Sequence, residues 1–130
     1  MKILIGFRNH VYADYIGYCL RTSGHEVTVV DGGMDIVHLL FTQEWDIAMI
    51  GIHVNYYNGL EILDKYRKYY HEMQMKAPGK VLPKTQIYIA SGFYDRGSMQ
   101  QAKDLDAADY FVVPQDADDF LNRILKKDSL

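Results

Sequence analysis

The chain has 130 residues, of which 48% are hydrophobic and 24% are charged, with a formal net charge of −3 at pH 7. This length and composition are typical of one globular domain, expected to span residues 1–130, and the negative charge disfavours a general nucleic-acid-binding surface. The one cysteine, Cys19, excludes an intramolecular disulfide and favours the reducing cytoplasm. There is neither an apolar run of about 20 residues, as a membrane-spanning helix needs, nor the long apolar segment of a signal peptide.

The first half of the chain is predicted to alternate strands with helices. Short apolar runs at residues 2–6 and 47–50 and a β-branched run at residues 25–30 indicate strands. Helical periodicity predicts a helix in each interval, over residues 12–20 and 34–41.

Each of these two helices is predicted to bury one apolar face. In the first helix the repeating residues are Tyr12, Tyr15, Ile16, Cys19 and Leu20. In the second, positions i, i+3, i+4 and i+7 are occupied by Met34, Val37, His38 and Phe41. His38 is therefore interpreted as a half-buried side chain and not as a metal ligand.

The second half continues the alternation, with strands predicted at residues 85–90 and 109–113 and helices at about 60–71, 95–105 and 117–125. The last helix has an apolar stripe, with acidic residues at its start and lysines at its end, as the helix dipole favours. In the other two helices the residues predicted to face the sheet are Leu63, Tyr66, Tyr70, Met99, Ala102 and Leu105.

Strands that alternate with helices predict βαβ units and a parallel sheet in an α/β domain. In such sheets, ligands bind at the carboxyl ends of the strands. The residues that follow Ile50 are therefore the expected location of any chemistry.

Four segments of the chain resemble the response-regulator receiver domain family, and the resemblance covers about residues 1–127. They are residues 20–27, 46–63 with the loop-to-helix motif Asn58-Gly59-Leu60-Glu61, 87–91 and 108–114. The resemblance implies a flavodoxin-like, doubly wound, five-stranded parallel sheet, (βα)5, with strand order 2-1-3-4-5. It also implies a cis bond between Val113 and Pro114, which X-Pro chemistry permits.

Receiver domains accept a phosphoryl group on an aspartate of the third strand, with the help of a Mg²⁺ ion held by acidic residues and of a lysine. The resemblance places Phe7 and Arg8 at the two further acidic positions, Gly51 at the phosphoacceptor and Val113 at the lysine, and it keeps only the hydroxyl, as Ser91. Gly51 has no side chain to phosphorylate, and Arg8 puts a fixed cation where the metal would bind. We therefore expect an atypical receiver with a degenerate pocket, no catalytic residue, no metal and no cofactor.

The signalling surface of the family is better preserved than the pocket. Ser91 and Tyr110 match its switch pair. Met99, Asp109, Tyr110 and Arg123 match a dimer or partner face, in which Asp109 and Arg123 pair between subunits. The alternatives are that Ser91 caps the next loop, that Tyr110 is a half-buried strand aromatic and that the two charges are solvated.

These residues predict a phosphorylation-independent signalling module of a two-component pathway. Its partners would be signalling proteins or a second copy of the chain, it is expected to take part in transcription regulation, and nucleic acid would be bound only through an attached or partner effector. One alternative is a sensor of a small molecule or anion in the vacated pocket. An enzyme of unrelated chemistry is another, but no nucleophile–base pair or carboxylate pair is visible at a strand end.

Aromatic side chains are concentrated near the predicted strand ends, at Phe7, Tyr12, Tyr56, Tyr57, Phe93 and Tyr94. Either they are exposed for contact with a protein or an apolar ligand, or they fold inward and fill the space left by Gly51. His10 and His53 fall in nearby loops but lack zinc-ligand spacing. Basic residues between Lys65 and Lys84 are interpreted as a solvated face.

Overall fold

The computed structural model describes residues 1–54, 57–113, 119 and 122–124. Its five strands are parallel, in the order β2-β1-β3-β4-β5, which confirms the predicted doubly wound, flavodoxin-like α/β fold. In chain order, the elements are β1 (Lys2–Gly6), α1 (His10–Thr22), β2 (Glu26–Val30), α2 (Gly33–Thr42), β3 (Ile47–Gly51), α3 (Gly59–Lys76), β4 (Gln86–Ser91), α4 (Arg96–Asp104) and β5 (Asp109–Val112).

Only part of the last predicted helix belongs to the described residues. Residues 119 and 122–124 are helical, and Ile124 is buried. Residues 114–118, and with them the predicted cis Val113–Pro114 bond, lie outside the described ranges. No helix within those ranges is long and apolar enough to cross a membrane.

Successive residues of the strands face two separate cores. Ile3 and Met49 pack on the side of α1, whereas Leu4 and Ile50 pack on the side of α2 and α3. Strand β3 pairs with both β1 and β4, and all five of its residues are buried. Because both faces are covered, β3 has a continuous apolar sequence instead of an alternating one.

Helix α2 buries a different face from the predicted one. Met34 is 60% exposed and His38 is also exposed, whereas Ile36 and Leu40 are buried. Five of the six residues from Ile36 onward are apolar, so the spacing fits more than one face, and packing against the sheet selects between them. In α1, Tyr15 was also predicted to face inward and is 51% exposed.

Helix α3 extends beyond its predicted end near residue 71. A capping box at Asn58 begins the helix, which continues to Lys76. None of residues 72–76 is buried, so apolar periodicity could not mark this last part. The extension lies against the next loop, where the Tyr70 hydroxyl donates to the Leu82 carbonyl oxygen at 3.0 Å.

Two glycines lie where α3 begins against the end of β3. A Cβ added at Gly59 would overlap the Gly51 carbonyl oxygen, a backbone atom that cannot move aside cheaply. A Cβ added at Gly51 would have only ordinary contacts, the nearest being the Gly6 carbonyl oxygen at 3.5 Å. The two glycines should therefore differ in their tolerance of a side chain.

The Gly59→Ala variant is expected to lose about 1–3 kcal/mol of unfolding free energy, because the methyl group forces α3 away from β3. The matched Gly51→Ala variant should keep its stability or gain up to about 1 kcal/mol, because alanine restricts the unfolded chain without a clash. Urea unfolding of the chain and of both variants measures these differences. Equal destabilisation by the two substitutions would contradict the close approach of α3 to β3.

Candidate functional site

A cavity of about 320 Å³ lies at the carboxyl edge of the sheet. It is lined by all five residues of the predicted degenerate pocket, which are Phe7, Arg8, Gly51, Ser91 and Val113. The other lining residues are Asn9, Ile52, His53, Ala90, Gly92 and Phe93. Residues that are far apart in the sequence thus meet at the place where an open α/β sheet binds its ligands.

The strand register brings these residues together. Gly6 is level with Ile50 across β1 and β3, and Gly51 is level with Ala90 across β3 and β4. Ser91 is in turn level with Val112 across β4 and β5. Since all the strands are parallel, the residues that end them, or directly follow them, surround one space.

The lining of the cavity does not suit a Mg²⁺ ion. This ion needs hard oxygen ligands in octahedral geometry, usually with one or two carboxylates. None of the described lining residues carries a carboxylate, and Arg8 contributes a positive charge. Within the described ranges, no group of three His, Cys, Asp or Glu side chains is placed to hold a metal. The residues present therefore do not fit the metal chemistry that the resemblance implies for the family.

Ser91 is buried, with 4% of its surface exposed, and lies at the end of β4. Its hydroxyl oxygen accepts a hydrogen bond of 3.4 Å from the Phe93 backbone N–H. This contact is the loop cap that the sequence offered as the alternative to a switch. A role in switching stays a prediction.

Asp109 and Arg123 form an ion pair within one chain. The Arg123 Nη2 and Asp109 Oδ2 atoms are 2.7 Å apart, and the Arg123 guanidinium lies 4.3 Å from the centre of the Phe111 ring. The pair is partly exposed to solvent, as the alternative of solvated charges requires, and a pair between subunits stays a prediction.

Tyr110 lies on the opposite side of β5 from this ion pair, because neighbouring strand residues point to opposite faces. Its ring is half-buried among residues on the α3 and α4 side. The Tyr110 hydroxyl is fully buried, and no described residue gives it a hydrogen-bond partner. Met99, the fourth residue of the predicted face, is half-buried on α4. The residues of the predicted face therefore lie on both sides of the edge strand β5, with the ion pair on one side and Tyr110 and Met99 on the other.

The aromatic residues near the strand ends divide between the two predicted behaviours. Phe7 and Tyr12 are buried and stack with their ring centres 6.0 Å apart, so they fill space as one interpretation required. Phe93 and Tyr94 are 57% and 59% exposed, as the interpretation of a contact with a protein or an apolar ligand requires. Tyr57 is half-buried, and Tyr56 lies outside the described residues.

The two histidines near the cavity have separate neighbours. His10 Nε2 is 3.9 Å from Asp31 Oδ2, and the His53 ring stacks on Phe93 with ring centres 6.3 Å apart. On the basic segment, Lys68 is paired with Asp64 at 3.0 Å. These contacts are those of surface charges and loop packing.

The loop that carries Phe93 and Tyr94 leads directly into the capped start of α4. The Ser98 hydroxyl donates to the Asp95 carboxylate at 2.6 Å, and the Gly97 N–H donates to it at 3.2 Å. These bonds, that of Ser98 first, lower the pKa of the Asp95 carboxyl below its usual value. The exposed aromatics are thus held between a capped helix and the end of β4.

The sequence analysis predicted that Tyr66 and Tyr70 face inward, but it did not identify the aromatic cluster that they form at the opposite, amino edge of the sheet. This cluster surrounds a second cavity of about 250 Å³. Its polar groups are used internally, since the Trp45 ring N–H donates to the Leu39 carbonyl oxygen at 2.9 Å and the Tyr66 hydroxyl accepts from the Thr85 N–H at 2.9 Å. The helical spacing i, i+3, i+4 and i+7 was the available signal, at Tyr66, Tyr69, Tyr70 and Met73.

The Tyr110→Phe variant is expected to gain about 1 kcal/mol of unfolding free energy, because it removes a buried hydroxyl with no described partner. Thermal and urea unfolding of the variant and the parent chain measure the gain. Tyr66→Phe is the matched control and should lose about 1 kcal/mol, because its hydroxyl accepts from the Thr85 N–H. A loss of stability in Tyr110→Phe would mean that this hydroxyl is paired.

No protein-family model matches the sequence, and no curated protein matches it significantly. Solved structures do match. The receiver domain of a Francisella response regulator has a TM-score of 0.80 and 21% identity, with 99% of this chain and 98% of that chain covered. A LuxR-family DNA-binding response regulator from Staphylococcus aureus has a TM-score of 0.79 and 18% identity, with 97% and 98% covered.

The response regulator TrrA from Thermotoga maritima, in complex with Mg²⁺ and BeF, has a TM-score of 0.76 and 18% identity, with 97% of this chain and 98% of that chain covered. At such identities the similarity establishes the architecture and not the activity. The chain has the fold of response-regulator receiver domains.

Proposed function

We propose that this chain is a receiver-like signalling module that works without phosphorylation. It acts in the cytoplasm, an environment that the lone cysteine Cys19 favours. It regulates by binding another protein or a second copy of itself, and transcription regulation is the expected output. Any contact with nucleic acid would be made by an attached or partner effector, and the chain itself catalyses no reaction.

The observation that carries this proposal is the chemistry of the cavity at the carboxyl edge of the sheet. Gly51 ends β3 inside it, and none of its described lining residues bears a carboxylate. Phosphoryl transfer depends on a positioned nucleophile and on metal ions that neutralise the developing charge. Without a carboxylate at Gly51, the described lining of the cavity supplies neither a phosphoacceptor nor a set of ligands for the metal.

A protein contact is supported by the features around β5. This strand is at one edge of the described sheet, next to β4 only. Around that edge lie a charged pair, Asp109 with Arg123, and the half-buried Met99 and Tyr110. A surface that mixes charged and apolar groups in this way suits a protein interface in which the charged groups determine which partner binds.

The absence of phosphorylation can be tested with acetyl phosphate and Mg²⁺. We expect no phosphoryl group on the chain by intact mass spectrometry, while a receiver domain that has its acceptor aspartate is labelled under the same conditions. The Gly51→Asp variant, for which the backbone has room, should also stay unlabelled, because Phe7 and Arg8 supply no metal ligand. Labelling of the unaltered chain would contradict the proposal.

The face can be tested with the Arg123→Glu variant, which places two negative charges side by side at Asp109. Self-association, measured by sedimentation over a range of concentrations, should weaken by about tenfold. The matched control is Lys68→Glu, which breaks the ion pair with Asp64 on α3 and should leave association unchanged. Both pairs are partly exposed, so each substitution should cost at most about 1 kcal/mol of stability.

Equal association of the chain and the Arg123→Glu variant would show that this face is not the interface. A chain that stays monomeric at every concentration would contradict self-association and would leave a different protein as the partner.

A further inference from the structure

The cavity at the carboxyl edge of the sheet has mainly apolar walls. Phe7, Ile52, Ala90 and Val113 line it, together with the backbone at Gly51. Phe7 and Ile52 are held in the core at 2% and 4% exposure, so the apolar side chains that can contact a ligand are mainly those of Val113 and Phe93. A ligand that occupies this space must therefore present an apolar surface to most of its surroundings.

The cavity also has a positively charged side chain that has no counterion among the residues that the structure describes. Arg8 lines the cavity, is exposed and forms no ion pair with any residue in the described ranges. No acidic side chain competes for it among the described lining residues. The planar guanidinium can bind a carboxylate through two parallel hydrogen bonds, a geometry that a lysine cannot offer.

A second polar group comes from Ser91. Its hydroxyl oxygen accepts from the Phe93 N–H, and no described residue accepts the hydrogen of the hydroxyl, which can be donated to a ligand. Phe93, whose ring stacks on His53, is exposed at the rim of the same cavity. The polar side chains in the lining are those of Arg8, Asn9, His53 and Ser91, and the rest of the wall is apolar or backbone. A few polar groups in a mainly apolar wall characterise a small-molecule site.

The size of the space limits the ligand. At about 320 Å³ the cavity is at the lower end of the range for small-molecule sites, which begins near 300 Å³. A Cβ at Gly51 would already be in van der Waals contact, 3.5–3.7 Å from its neighbours, so larger side chains there would project into the remaining space. A ligand with one aromatic ring is the appropriate size.

We propose that this cavity binds a small aromatic carboxylate, with the ring against Val113 and Phe93 and the carboxylate on Arg8. Inorganic phosphate would satisfy Arg8 but leave the apolar walls uncovered, and a neutral ring would cover the walls but leave Arg8 without a counterion. The cavity is separate from the face around β5. An experiment can therefore refute the ligand site without refuting the proposed protein contact, and the reverse.

The proposal is tested by isothermal titration of the full chain with three probes: benzoate, benzyl alcohol and inorganic phosphate. Benzoate is expected to bind most tightly, and each of the other two at least about tenfold more weakly, because each lacks one half of the interaction. Amide NMR shifts caused by benzoate should be largest around Ile52, Ala90 and Val113. Equal binding of phosphate and benzoate would mean a general anion site, and no saturation at about 10 mM benzoate would mean no site; either result overturns the proposal.

Variants separate the two halves of the interaction. Arg8→Gln should weaken benzoate by about tenfold and leave benzyl alcohol unchanged, since only the charge is removed. Gly51→Leu should abolish binding of both by filling the cavity, and Lys103→Gln, a distant exposed cation on α4, should change neither. Because Arg8 is exposed, its variant is expected to fold even if Gly51→Leu does not. Unchanged benzoate binding by Arg8→Gln would refute the assigned carboxylate contact.

Discussion

The structure depends on strand β3, which is buried at all five positions and hydrogen-bonded on both sides. A strand with two covered faces and two neighbours cannot shift its register without exposing apolar residues on both sides of the sheet. Its end at Gly51 is further restricted by α3, which begins at Gly59 so close to the Gly51 carbonyl that no side chain fits between them. The position of the carboxyl edge, and of the loops around it, follows from this packing.

At that edge the chemistry differs as a whole from what the receiver resemblance implies. A site with three carboxylates would hold a metal and repel a second anion, whereas a site with Gly51, Phe7 and Arg8 has apolar walls and one cation. Phe7 contributes a buried aromatic ring and Arg8 an exposed positive charge, and neither side chain is a ligand for a metal ion. The same fold thus offers a place for an organic anion where the resemblance implies a metal and a phosphoryl group.

The two ends of the sheet and its β5 edge have different kinds of surface. At the amino end, the polar groups of Trp45, Tyr66 and Thr85 bond to one another or to the backbone, as expected of a structural cluster. At the carboxyl end, the Arg8 guanidinium has no described ion-pair partner. Around β5, Asp109 and Arg123 form an ion pair within the chain. A partner that bound either charge would have to compete with this existing contact.

The sequence by itself determined the order and type of the secondary structure, because short apolar runs between helical periodicities have few other solutions, and the matching motifs indicated which residues would meet at the strand ends. It could not decide which face of α2 is buried, because apolar residues occupy several faces of that helix. It could not locate the end of α3 either, because the last part of that helix buries no residue and so has no apolar repeat. Only the tertiary structure decided that Asp109 pairs with Arg123 of the same chain, that the Tyr110 hydroxyl is buried and that the space beside Gly51 stays open. These outcomes depend on distances between side chains that are remote in sequence, and packing of the whole sheet sets those distances.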